Sequence, residues 1–256
     1  MKGPILDVDA QRARWQAYRK RQALVLDVGK GFARGGLGSF VDSLDLRLLF
    51  LPSDPDADVV PLDERTLEWL KADRPSPYGG GPVRWGHQVR ATSNALVAHD
   101  RYGDDRGWTR YLAFHRHGGL ELGWGNLSYE ICGLRVFSLR HVVGLAWSAL
   151  ALQEDANSRW SIAAPFELTV ALCDTHGATL GGFAEGWREP GAGLAEPSVC
   201  IEDQVLLRWE LDAELNVEQL AIDVGDRVEQ AFGSTHRRHL AHRGEYEGRF
   251  DPRFGF

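Results

Sequence analysis

The stretch from Arg110 to Gly125 constrains the fold more than any other part of the chain. Two apolar runs rich in aromatic and branched residues flank His117-Gly118-Gly119, the composition of a tight β-hairpin turn. Further strand signals follow the same style. Val83 to Thr92 and Ala95 to His99 read as extended around a Thr92-Ser93-Asn94 turn. Phe166 to Cys173 reads as a strand, with Asp174 to Gly177 turning the chain into Ala178 to Phe183, and Val199 to Glu210 forms another. Leu44-x-Leu46-x-Leu48 favours one more strand late in Phe40 to Leu51, where Phe40-Val41-x-x-Leu44 could instead begin a helix, and Ala23 to Val28 reads as a buried strand. Strands outnumber helices and come in adjacent pairs. That order predicts an α+β fold with a mixed or largely antiparallel sheet and a few packed helices.

Four helices are expected. Asp9 caps one over Ala10 to Gln22, with Trp15, Tyr18 and Gln22 along one side. Leu62 to Lys71 turns Leu62, Leu67 and Leu70 inward, and Ser138 caps a largely buried helix over Leu139 to about Leu152. Val217, Leu220, Val224, Val228 and Phe232 mark a last helix ending at Gly233. Arg74 to Pro82 holds three prolines and three glycines, which prevents regular structure and sets a soft boundary. Residues 1–80 then form a helix/strand segment packed on the main body, and residues 81–256 an α+β sheet domain.

At 256 residues, with no apolar run of membrane-spanning length, the chain reads as globular and not membrane-embedded. The N-terminus lacks the apolar core of a secretory signal, and Cys132, Cys173 and Cys200 are odd in number and set among apolar residues. Buried reduced thiols and a cytoplasmic location are expected. Arg12, Arg14, Arg19, Lys20 and Arg21 put +5 between positions 12 and 21, so a net charge of −7 leaves −12 on the rest. An acidic body repels phosphate backbones, so any nucleic-acid contact is confined to local basic patches. The first helix is either packed on the body with a solvated basic face or a docking helix for an acidic partner or nucleic acid.

Candidate sites are few. His115 and His117 lie two apart on a strand, which points them to one face, and Glu121 comes opposite across the turn. Two histidines and a carboxylate suit a metal or acid–base chemistry; the alternative is an exposed, solvated hairpin end. His236-x-x-His239-x-x-His242, mixed with Arg237, Arg238 and Arg243, reads as a basic patch for an anion or as a solvated extension. Trp85, Trp124 and Trp187 each neighbour glycine and are the tryptophans expected in a pocket for a flat ring. The Gly-rich loop Gly29 to Gly38 fails both standard phosphate-loop patterns, so no cofactor is expected. Glu185, Glu189, Asp203 and Glu210 form no carboxylate pair that spacing can place, and no serine elbow or Cys–His pairing stands out.

In order, Trp108-x-x-Tyr111-Leu112-x-Phe114-x-Arg116-x-Gly118-x-Leu120-Glu121, the long helix after Ser138, and Pro165-Phe166-Glu167-Leu168 opening a strand form a series. Ala231-Phe232-Gly233-Ser234 and Tyr246-Glu247-Gly248-Arg249-Phe250 complete it. This series resembles the C-terminal region of bacterial proteins that carry an AlbA-type Schlafen domain, over roughly residues 80 to 250. The nucleic-acid-directed Schlafen domain itself has no counterpart in the first 80 residues. The resemblance therefore implies a companion domain that senses or docks something, in regulators or bacterial defence systems, and it transfers no catalytic residue. The leading expectation is a non-enzymatic sensor or interaction protein acting with a protein partner. The alternatives are a metal-dependent hydrolase or nuclease using His115, His117 and Glu121, and a transcriptional regulator binding DNA through the first helix.

Overall fold

Alternation inside the apolar runs decides how they pair and which face each residue serves. The computed structural model describes residues 8–26, 45–74, 76–77, 83–101, 108–125, 127–131, 133–181, 199–212, 214–235, 237, 239–242 and 244–251. Among them are α1 (Val8–Leu26), β1 (Leu46–Leu51), α2 (Glu64–Lys71), β2 (Gln88–Ala91), β3 (Ala95–Arg101), β4 (Trp108–His115) and β5 (Leu120–Trp124). There follow β6 (Ser128–Ile131), β7 (Leu134–Ser138), α3 (Leu139–Trp160), β8 (Phe166–Cys173), β9 (Thr179–Gly181), β10 (Gln204–Leu211) and α4 (Val217–Ala231). The expected α+β class holds.

Seven strands form one sheet in the order β10-β8-β1-β5-β4-β3-β2, with every pairing antiparallel. A three-stranded sheet, β6-β7-β9, pairs β6 with β7 antiparallel and β7 with β9 parallel. Side chains at every second position build the main core. Leu46, Leu48 and Phe50 of β1, Leu112 and Phe114 of β4, Leu120 and Leu122 of β5, and Phe166, Leu168, Val170 and Leu172 of β8 share it with α2, α3 and α4. Each large apolar side chain so enclosed contributes about 1.5–3 kcal/mol.

The stretch around 75–82 separates no sheet. β1 comes from before it yet lies between β8 and β5, and Arg74 and Val83 bridge across it. The chain on both sides shares one sheet and one core. Asp45 joins the two sheets: its buried carboxylate accepts from the Leu127 and Ser128 amides at 2.6 and 2.9 Å and from Arg135 at 2.7 Å.

Several boundaries differ from expectation. Ala23 to Leu26 continues α1 rather than starting a strand, because alanine and leucine favour a helix and no breaker comes before Gly29. α3 runs on to Trp160 through polar but helix-compatible residues and stops at Ser161, whose φ of 53° is left-handed. Ser138 stands at the N-cap position, but its hydroxyl meets His141 Nδ1 at 2.8 Å rather than capping a backbone amide. Asp63 caps α2 by accepting from Thr66. The hairpin β6–β7, turning at Gly133 with φ 78°, was not expected. The strand expected over Val83 to Thr92 is confined to Gln88–Ala91.

Candidate functional site

The other face of the large sheet carries charged and polar side chains among its apolar ones. Residue registers place Arg208, Thr169, Leu49, Glu121, Ala113, Val97 and Arg90 in one row across all seven strands. The neighbouring row reads Leu206, Ala171, Arg47, Gly123, Tyr111, His99 and Gln88. Glu210, Glu167 and Leu51 begin a third row, in which His115 stands opposite Ala95. Unlike the aliphatic face beneath α2, α3 and α4, this face mixes small residues with arginine, glutamate, histidine and tyrosine. Glu121, Glu167, Tyr111, His115 and His99 on it are all buried.

α1 lies along the end of this face. Trp15 and Tyr18 pack on Leu49 and Leu51, while Gln11 joins them on the buried side of the helix. Three side-chain bonds fix the docking. Gln11 donates to the Ser53 carbonyl at 2.6 Å, Trp15 Nε1 to the Pro52 carbonyl at 2.8 Å, and Tyr18 meets His117 Nε2 at 2.7 Å. The stripe read from Trp15 and Tyr18 is therefore the packed side, and the helix is docked on the body. The side chain of Gln22 lies outside the described residues.

His115 and His117 do share a side, their rings stacked 5.0 Å apart and within 5° of parallel. They are buried beneath α1, not displayed at a solvated hairpin end. The Gly119 amide donates to His117 Nδ1 at 3.0 Å, which assigns the ring proton to Nε2 facing Tyr18. Burial, with His115 adjacent, drives the His117 pKa down to about 2, so the ring is neutral. Tyr111 donates to Glu121 Oε1 at 2.6 Å, and His115 Nε2 stands 3.6 Å from Oε2. Burial and then the Glu121 charge push the Tyr111 hydroxyl well above its usual pKa. With both nitrogens of His117 engaged, His115, His117 and Glu121 are not assembled as a metal set. Among the described residues no group of three or more His, Cys, Asp or Glu side chains is placed to hold an ion.

A solvent-facing groove of about 430 Å³ opens where α1 crosses the β10 edge, lined by Arg12, Gln16, Glu167, Arg208 and Glu210. Arg12 forks onto Glu210, with Nε to Oε1 and Nη2 to Oε2 both at 2.8 Å. That pairing, hydrogen bond first and charge second, raises the Arg12 pKa. Glu210 and Glu167 stand opposite each other in the ladder. This is the carboxylate pair that sequence spacing alone did not place. Its signal was present: Arg47 and Glu167 are lone charges inside the otherwise apolar runs of β1 and β8, at positions that alternate away from the core.

The remaining expected sites scatter. Arg14 is exposed on α1, and the side chains of Arg19, Lys20 and Arg21 lie outside the described residues. Trp85 is 2% exposed and meets Trp124 edge-on at 6.5 Å, while Arg110 stacks over Trp124. Trp187, Arg238, His236, Arg243 and Cys132 fall outside the described residues, as do the Gly29 to Gly38 loop, Glu185 and Glu189. Arg237 is held against α4 by a fork onto Asp226 at 2.8 and 3.0 Å, and its amide donates to Glu229. His239 is fully buried beside Asp226 and Glu229, so this part of the His/Arg segment is packed on α4 rather than solvated. Cys173 and Cys200 are buried free thiols, and burial raises the Cys173 pKa.

No helix among the described residues is long and apolar enough to cross a membrane. The chain matches no family model, no curated protein and no solved structure.

Proposed function

We propose that this chain is a recognition protein that works with a protein partner and uses the outer side of α1 as its contact surface. The observation that carries the reading is the two-sided construction of that helix. Gln11, Trp15 and Tyr18 are spent on docking, while Arg14 faces solvent beside Arg12, which is exposed and forked onto Glu210. A helix fixed in this way presents its arginines from a rigid base, at a low cost in ordering when an acidic surface arrives. His117, one of the histidines that invite a catalytic reading, acts instead as a brace beneath the helix through Tyr18. The resemblance of the second half to the companion region of Schlafen-domain proteins supports a regulatory or bacterial defence role.

The test compares wild type with Arg14→Glu in affinity capture from the native cells. One protein retained by wild type and lost by the variant is the expected result. A chain that, purified alone with a divalent cation, hydrolyses nucleic acid or nucleotide refutes the reading. Capture of duplex DNA with steep salt dependence would replace the protein partner by nucleic acid.

A further inference from the structure

The groove between α1 and the β10 edge is lined by opposite charges, one pair joined and one pair apart. Arg12 and Glu210 neutralise each other in a fork, which closes one end. Arg208 projects from β10 into the same groove, and its side chain has no partner among the described residues. Glu167, 5% exposed, lies diagonally across the ladder from Arg208, about 7–8 Å away at the backbone. Directly opposite Arg208 is Thr169, 6% exposed, whose Oγ1 has no hydrogen-bond partner among the described residues. A buried hydroxyl left unsatisfied costs about 1–3 kcal/mol, and native proteins keep few of them without a use. Gln16 adds an amide that both donates and accepts.

With two arginines and two glutamates, the lining has no net charge, which favours neither a simple anion nor a simple cation. It is polarised, with a guanidinium toward β10 and a carboxylate in the floor. A carboxylate has about four acceptor sites, so Glu167 can take a ligand ammonium while keeping another bond. We infer that this groove binds a small zwitterion of the amino-acid class, its carboxylate on Arg208 and Gln16 and its ammonium on Glu167. The volume suits a small ligand. Because α1 forms one wall and the sheet the other, the ligand would also tie the helix to the body. This goes beyond the partner-binding reading and stands or falls separately, since it needs only the purified chain.

Titration calorimetry of the full chain against the common α-amino acids is the experiment, with acetate and methylammonium as single-charge probes. The expected result is saturable binding of at least one amino acid at about 1 mM or below. The single-charge probes are expected to bind at least tenfold more weakly. Arg208→Gln, an exposed position whose loss leaves the core intact, should weaken the amino acid by on the order of tenfold, as expected for a charge-assisted hydrogen bond. Arg65→Gln on α2 should not. The proposal is overturned if no amino acid binds, if acetate binds as well as the zwitterion, or if Arg208→Gln binds as wild type does.

Discussion

Tyr18 and His117, 99 residues apart in the chain, meet at 2.7 Å across the seam between α1 and the β4–β5 turn. The bond is buried and belongs to a pair whose other ring nitrogen is already taken by Gly119. Losing the tyrosine hydroxyl therefore leaves an N–H with no alternative. Tyr18→Phe should loosen α1 by about 1–3 kcal/mol. The apolar cluster beneath the helix is small, so the loss should appear as local opening and not as global unfolding. Hydrogen exchange should show α1 amides exchanging faster while α3 amides keep their protection. Equal protection of α1 in both proteins would mean that the bond does not hold the helix.

The β4–β5 turn depends on Gly118 for two independent reasons. Its φ of +82° suits glycine, and a Cβ there would come within 2.4 Å of Ile162 Cδ1. Gly118→Ala should destabilise the fold by about 1–3 kcal/mol in urea denaturation. Adding Ile162→Ala should relieve the steric part and leave the backbone part, so the two changes should be non-additive. Strict additivity would show that the turn does not rest on Ile162.

Turn chemistry is local, which is why this hairpin, Gly118 included, is legible in the sequence. The polar face of the sheet is legible only in part. Arg47 and Glu167 announce by their position that β1 and β8 have a second buried side. Nothing in the spacing says that β1 enters between β8 and β5, and that insertion is what brings Arg208, Thr169, Leu49 and Glu121 into one row. Register between distant strands depends on how whole faces bury, and one residue of slip would send each side chain to the other side. His117 was misplaced for the same reason. A hairpin end reads as exposed until a helix from the other end of the chain is laid over it.

Acid should destabilise this protein through buried histidines that fold in neutral form, of which His117 and His141 are shifted furthest. Burial holds His117 at about 2 and His141 at about 4, against an ordinary value of 6.5. Below pH 6.5 the unfolded chain binds protons that the folded chain refuses, so their contribution is intact above that pH and is lost as pH falls. Between about pH 6 and 4.5 the two together should lower stability by about 2.7 kcal/mol per pH unit at most. His141 stops contributing below about pH 4, where the folded state also takes its proton. Urea midpoints measured across this window should show the slope, and His117→Asn should roughly halve it. A flat profile would mean that both rings are hydrated.

Gly225 and His239 give a test whose sign is decisive. In an exposed helix interior, glycine to alanine stabilises by about 1 kcal/mol. Here an added Cβ would lie 2.5–2.7 Å from the His239 ring, closer than real contacts permit. That ring is buried on α4 near Asp226 and Glu229, with Phe250 on another side. Gly225→Ala should therefore destabilise the wild type, by about 1–3 kcal/mol. In a His239→Ala background the clash is gone and helix propensity alone remains, so the same substitution should stabilise by up to about 1 kcal/mol. Urea denaturation of the four proteins reads both signs. A stabilising Gly225→Ala in the wild type would mean that the segment after Gly233 does not pack on α4, and His239 would then return to the solvated basic extension that its sequence suggests.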